Sequence, residues 1–252
     1  MKVTDLTTAS YGNVKSEKYD LAILPWGATE PHNYHLPYLT DVIIAQRTAL
    51  DALAWAMQQS TISGMVLPPV TMGSQNPGQR ELPFCIHTRY ETQKAILTDI
   101  VASLHRQGIV KLVIINGHGG NSFKNMIRDL SVDYPDFLIV LVDSYLVIPQ
   151  AGYFEEFDDH AGEMETSLLM YYRPELVSLN EASDGVGIPF AIPSLNEKTG
   201  WIPRHWNKAT TDTGIGNPKK ASAAKGERYA QAVAEKIGQL FIELVTKNIY
   251  NP

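Results

Sequence analysis

"LAILPWGATEPHNYHLPYLTD", Leu21 to Asp41, decides how the chain is read. Leu21-Ala22-Ile23-Leu24 is an unbroken apolar run, the mark of a buried strand. The next dozen residues crowd in Glu30, His32, His35 and Asp41. Then "DVIIAQRTALDALAWAMQQ" repeats Val42, Ala45, Ala49, Leu53 and Ala56 at helical spacing, with Asp41 placed as the N-cap. A strand, an ionisable loop and a helix in that order predict a parallel sheet with crossover helices, which binds its ligands at the carboxyl ends of the strands.

Working outward, the same alternation continues. "GMVLPPV" (Gly64–Val70) reads as a second strand. "YETQKAILTDIVASLHRQG" reads as a helix with Ile96, Ile100, Val101 and Leu104 on one face and Gly108 as its stop. "IVKLVIIN" is a buried strand, Phe123, Met126, Ile127 and Leu130 mark a helix, and "FLIVLVD" (Phe137–Asp143) is a fourth strand. Gly185 to Gly216 is an irregular, Gly- and Pro-rich excursion carrying Trp201 and Trp206, suited to an active-site wall or a subunit contact. Val233, Ile237, Leu240, Phe241 and Leu244 give an amphipathic final helix.

With 252 residues, 44% of them hydrophobic, one α/β domain spanning residues 1–252 is expected. A net charge of −6 and a pI near 5.6 argue against nucleic acid or an anionic membrane as partner. The N-terminal stretch lacks the apolar core of a signal peptide, and no run reaches membrane-spanning length. A single cysteine, Cys85, excludes an intrachain disulfide framework and fits a cytoplasmic protein. Cys85 has no base in its own segment, so a structural thiol is expected rather than a nucleophile.

The ionisable residues converge if the strand rule holds. Glu30 and His32 lie past the first strand, His118 lies in "NGHGGNS" past the "LVII" strand, and "DDHAGEMETS" brings His160, Glu163 and Glu165. Two-residue spacing points Glu30 and His32 the same way in extended chain. Asp41 can turn back toward them, and one carboxylate can bridge two cations. Imidazole and carboxylate donors suit Zn, Mn or Fe. Each residue also has a plainer reading. Asp41 alone is an N-cap, His35 is a structural or supporting histidine, and Glu163 is an acid placed to favour a helix dipole. The glycines of "NGHGGN" could cradle a phosphate, although the spacing lacks the dinucleotide pattern and the P-loop lysine. They could instead let the backbone approach a metal while His118 ligates it.

"LPWGATEPHNYHLPYLTD", "NGHGGN", "HAGEMETS" and "GIGNPKKASAAKG" together resemble the creatininase (creatinine amidohydrolase) family, in the family's order and over nearly the whole chain. The resemblance implies a three-layer α/β/α fold with a mainly parallel central sheet. It implies a dinuclear site, with Zn foremost and Mn or Fe as alternatives, that hydrolyses a C–N bond of a small amide or cyclic amide through a metal-activated water. On it Glu30, His32, Asp41, His118 and Glu165 match metal ligands, with Asp41 bridging, and His160 matches the histidine that handles the substrate proton. Ser74 matches the family serine, and Ser74 and Gly119 fall at substrate-binding positions. A homo-oligomer, typically a hexamer, is implied as well.

Several positions depart from creatininase proper. Gly119 and Gly120 stand where it has an aromatic and an acidic residue, Glu156 and Phe157 where it has a Trp-Asp pair, and "QNPGQRELPFCIHT" replaces its "EH…FPGT" segment. These changes touch substrate-facing positions and spare the metal positions, which points away from creatinine as the substrate. Two rival readings remain open: a phosphate- or nucleotide-binding module built on "NGHGGN", and a non-catalytic metal-binding assembly subunit.

Overall fold

The structure is a computed structural model and describes residues 3–250. Four strands form a parallel sheet: β1 (Leu21–Trp26), β2 (Gly64–Val66), β3 (Lys111–Asn116) and β4 (Leu138–Asp143), in the spatial order β2-β1-β3-β4. Successive side chains point to opposite faces, and here both faces are apolar. Leu21, Ile23, Val113 and Ile115 join one buried cluster with α1 (Thr40–Gln59), α4 (Glu163–Tyr172) and α5 (Ala223–Thr246). Ala22, Leu24, Trp26, Leu112 and Ile114 join the other with α2 (Tyr90–Arg106) and α3 (Lys124–Asp133). Helices therefore cover both faces, and the architecture is three-layer α/β/α with a parallel central sheet. A two-stranded antiparallel ribbon, β5 (Asp158–His160) with β6 (Ile215–Gly216), ties the "DDH" segment to the end of the excursion.

The chain runs from β1 outward to β2, then returns to the other side of β1 for β3 and β4. The order reverses between β1 and β3, whose last residues, Trp26 and Asn116, are register partners. A crevice opens at the carboxyl ends of strands at such a reversal. The first turn of α1 sits over it.

Some boundaries differ from the sequence reading, each for a local reason. Helix α1 starts at Thr40 with Leu39 as N-cap, because Thr40 N and Oγ1 both donate to Pro37 O. Asp41 is thus inside the first turn, and its carboxylate is not spent on capping. Strand β2 stops at Val66; Pro68 and Pro69 have no N–H for the ladder, and only an isolated bridge from Val70 to Trp26 follows. Gly108 does mark the end of α2, at φ +79°. The excursion holds only short helical turns, at Pro193–Asn196 and Trp206–Ala209, before β6. No helix among the described residues is long and apolar enough to cross a membrane.

Helix α1 reaches the sheet ends only because the turn after β3 starts with a glycine. A Cβ on Gly117 would lie 2.5 Å from Asp41 O and 3.2 Å from Ala45 Cβ. Gly117→Ala should therefore lever α1 off the sheet and cost about 1–3 kcal/mol, the range of an overpacked core, read as a lower denaturation midpoint. At Gly119 the nearest atom to such a Cβ is Tyr145 Oη at 3.9 Å, so Gly119→Ala should change stability by less than about 0.5 kcal/mol.

Candidate metal centre

Three segments meet over the crevice. The β1–α1 loop brings Glu30, His32 and Asp41, the turn after β3 brings His118, and the β5–α4 corner brings His160 and Glu165. All but Glu165 are more than nine-tenths buried, and the Glu165 side chain is 12% exposed.

Asp41 is the common member. Its Oδ1 lies 2.9 Å from His32 Nε2, which is itself 4.0 Å from Glu165 Oε2. Its Oδ2 lies 3.1 Å from His118 Nδ1, and that nitrogen is 2.8 Å from Glu30 Oε1. The two oxygens of one carboxylate thus serve two separate donor sets: Glu30, Asp41 and His118 on one side, His32, Asp41 and Glu165 on the other. Asp41 Oδ2 is buried and receives no well-aligned hydrogen bond. A buried carboxylate oxygen whose near neighbour, the His118 ring, is poorly aligned to donate to it is under-satisfied, and a cation would relieve it. A third set, Glu30, His32 and His160, overlaps both.

Each imidazole has its orientation set by a backbone carbonyl. His32 Nδ1 lies 3.0 Å from Glu30 O, His118 Nε2 2.7 Å from Ser74 O and His160 Nε2 3.0 Å from Pro31 O. With those nitrogens donating, the opposite nitrogen of each ring presents its lone pair to the cluster, as a metal-bound histidine must. Glu165 Oε2 accepts from Ala161 N at 2.6 Å, a geometry made by the left-handed turn at Ala161, φ +56°.

The electrostatics are those of a cluster in need of positive charge. Burial disfavours a charged His32 ring, yet Asp41 and Glu165 overcome it and lift the pKa to about 10. His118 is likewise raised, against burial, by Glu30 and Asp41. Asp41 is held below the ordinary carboxylate range by His32 and His118 despite its burial. Burial, with Asp158 and Asp41 nearby, pushes Glu165 up to about 8. His160 goes the other way: burial and the neighbouring His32 lower it, so its ring is neutral at ordinary pH.

The other sequence candidates are placed less centrally. The hydroxyl of Ser74 faces Thr88 O and Gln93 Nε2, and its backbone carbonyl is what touches His118. Gly119 leaves open space below Tyr145 Oη. His35 supports the loop from behind, 2.8 Å from Thr166 Oγ1. Glu163 accepts from Glu155 N and Glu156 N and pairs with Lys225, which makes it a structural acid. Asn116 braces the β3 turn through His118 O and Asp143 Oδ1. The Cys85 thiol is half-buried and pushed up to about 12 by burial and Glu30, so it stays protonated. As for "NGHGGN", helix α3 opens only at Lys124, so the glycines do not form a helix N-terminus, and three carboxylates in the cluster would repel a phosphate.

Two further neighbours complete the site: Gln79, which the sequence did not single out, and Trp206, from the excursion read as suited to an active-site wall or a subunit contact. Gln79 Nε2 donates to Glu30 Oε2 at 2.6 Å across 49 positions of sequence. Trp206 packs edge-on against His160, ring centroids 5.2 Å apart, and its indole Nε1 is buried with no partner. The Gln79 amide carries no periodicity or spacing that could have flagged it, and Trp206 was marked only through its segment.

A parallel α/β sheet with imidazoles and carboxylates gathered at its switch point defines a metal-binding centre of the kind hydrolases use. The creatininase family pattern, described as creatinine amidohydrolase, matches residues 4–241, and the chain belongs to that family of hydrolases. Among curated relatives, the mycofactocin precursor peptide peptidase of Mycobacterium ulcerans is 28% identical over 227 residues, covering 86% of this chain and 83% of that protein. The creatinine amidohydrolase of Pseudomonas putida is 27% identical over 241 residues, 88% of each chain. A crystal structure of a Bacteroides fragilis protein provisionally named a creatinine amidohydrolase superposes with TM-score 0.98 at 59% identity over 100% of both chains. A manganese creatininase structure, 21% identical with TM-score 0.78 over 97% of this chain and 100% of that one, shares the fold.

The raised histidine sets a pH dependence. His32 moves from an ordinary 6.5 to about 10 in the folded, metal-free protein. A pKa raised on folding gives stability that is complete below the unfolded value and is lost as pH climbs through the folded one. Metal-free protein should therefore melt at progressively lower temperature as pH rises from 6.5 toward 10, as followed by calorimetry. Metal-loaded protein, with the ring proton displaced, should lose most of that slope and release protons on loading.

Proposed function

We propose that the protein is a metal-dependent amidohydrolase that cleaves a C–N bond of a small amide or cyclic amide other than creatinine, at a centre holding two divalent ions. The observation that carries this reading is Asp41, whose two oxygens belong to two different donor sets. Glu30, Asp41 and His118 would hold one ion, and His32, Asp41 and Glu165 the other. Two such ions supply Lewis-acid activation of a water and of the scissile carbonyl. The nitrogen and oxygen donors favour Zn and accommodate Mn or Fe; the manganese form of a fold relative supports that range. Relatives named as a peptidase and as an amidohydrolase support attack on a C–N bond.

In this reading the chain's own residues orient and move protons. His160 is neutral, with Nε2 at the Pro31 carbonyl and Nδ1 free, so Nδ1 accepts a proton and returns it to the leaving nitrogen. Trp206 walls that side of the ring, edge-on. Ser74 holds His118 through its carbonyl, and the open space at Gly119 leaves room for substrate. Glycines at 119 and 120 and the altered 75–88 segment support a substrate different from creatinine.

Exposed Val186, Ile188, Ile192, Trp201 and Ile202 on the excursion support a homo-oligomer, a hexamer by resemblance; the single cysteine, Cys85, supports a cytoplasmic setting. Light scattering should return a mass near six chains; a monomer at micromolar concentration would overturn that part.

Chelation should abolish hydrolysis across a panel of small amides and lactams, and Zn or Mn should restore it. Elemental analysis should find two metals per chain, falling to one or none in Asp41→Ala. His160→Ala should keep both metals and lower kcat about 10²- to 10⁴-fold. Turnover indifferent to metal removal would sink the proposal. Full metal with no turnover of any amide would favour the non-catalytic alternative.

A further inference from the structure

We infer that Gln79 is a positioning residue that fixes Glu30 for one of the two ions, the one shared with Asp41 and His118, and leaves the other ion untouched; the inference rests on the dinuclear reading above. Glu30 is 1% exposed and has two chemically equal oxygens. Oε1 faces the cluster, 2.8 Å from His118 Nδ1 and 3.9 Å from His160 Nδ1. Oε2 is taken by Gln79 Nε2 at 2.6 Å. The carboxylate can therefore neither turn its second oxygen to the ion nor swing toward His160. It presents one oxygen in one direction.

Gln79 can impose this because it is itself immobilised. It is 1% exposed, and its Oε1 accepts from Asn76 N at 2.7 Å, which forbids the amide from flipping. Its own N–H closes the turn onto Asn76 O at 3.1 Å, behind Gly78 at φ +89°. The turn is clamped from outside by Trp206 N, which donates to Pro77 O at 2.6 Å. The brace is neutral. A fourth carboxylate at this position would add repulsion, and an aliphatic side chain would leave Glu30 Oε2 buried and bare.

The effect is confined to one side. Of the two ligand sets sharing Asp41, only one contains Glu30. In the other, Glu165 is braced by a backbone amide, Ala161 N, and His32 by a backbone carbonyl, Glu30 O. No side-chain substitution at position 79 removes either. Gln79 lies in "QNPGQREL", the segment that departs from creatininase proper.

The test is a calorimetric Zn²⁺ titration of wild type, Gln79→Met and the isosteric Gln79→Glu, each stripped and reloaded, with Co²⁺ absorption spectra of the same proteins. Orienting partners of metal ligands are worth about 10- to 100-fold in affinity. Both variants should weaken one of two Zn²⁺ events by that factor, keep the other within about threefold, and change the Co²⁺ spectrum of the weakened position alone. Gln79→Glu keeps the shape of the side chain, so it covers the case in which Gln79→Met does not fold. Two unchanged events, or two events weakened equally, would overturn the inference while leaving the dinuclear reading standing. Fewer than two Zn²⁺ in wild type would overturn that reading and this inference with it.

Discussion

Everything at the centre hangs on where the first turn of α1 is allowed to sit. Asp41 can offer one oxygen to each donor set only if its backbone rides directly over the ends of β1 and β3. Gly117 makes that possible, since a side chain there would meet the Asp41 carbonyl. The two apolar clusters hold α1 down on one face and seat the sheet on the other. Fold and chemistry thus share a single steric condition: a helix start pressed against two strand ends.

The second constraint is electrostatic. Three carboxylates and three imidazoles removed from water would be ruinous if each were judged alone. The cluster pairs acid with base throughout, and backbone carbonyls rather than further charges fix the rings. Carbonyls orient without titrating, so they leave the donor set available to an ion over a wide pH range. His160 is the exception, and it suits the proton-accepting role proposed for it. With no carboxylate in hydrogen-bonding reach and His32 stacked 4.2 Å away, it is kept neutral, the state a proton acceptor needs.

Most of the fold was legible because it is written in local patterns. Unbroken apolar runs gave the strands, 3.6-residue spacing gave the long helices, and Gly108 gave a stop. Glu30, His32, Asp41 and His118 were legible for a related reason: each stands just past a strand or at a helix start, where spacing implies direction; Glu165 as a donor came from the family resemblance. What escaped was fixed at long range. The true start of α1 depends on the carbonyl of Pro37, and the shortness of β2 depends on Pro68 and Pro69, which lie within an apolar run. Gln79 and Trp206 matter through partners far away in sequence. Asn33 does too: its Oδ1 accepts from Ser183 Oγ at 2.9 Å, tying the ligand loop to the region leading into the excursion. None of these contacts has a period or a spacing.

The two glycines after His118 also explain why the last carboxylate comes from α4. Creatininase proper, by resemblance, has an acidic residue at the position of Gly120. Here a Cβ on Gly120 would stand 2.2 Å from Ser74 O and 2.5 Å from His118 Nε2. That is the same carbonyl that orients His118, so this turn cannot both carry an acid and keep that hydrogen bond as it stands. The donor set on the His32 side must draw its carboxylate from elsewhere. Glu165 supplies it from the first turn of α4, aimed by the Ala161 amide at the left-handed corner. With glycine in the β3 turn, the space above Gly119 is open, and the Tyr145 hydroxyl is the nearest group to it. An acid on α4 in place of one in the β3 turn therefore keeps a carboxylate in the His32 donor set while leaving the side of the centre above Gly119 open.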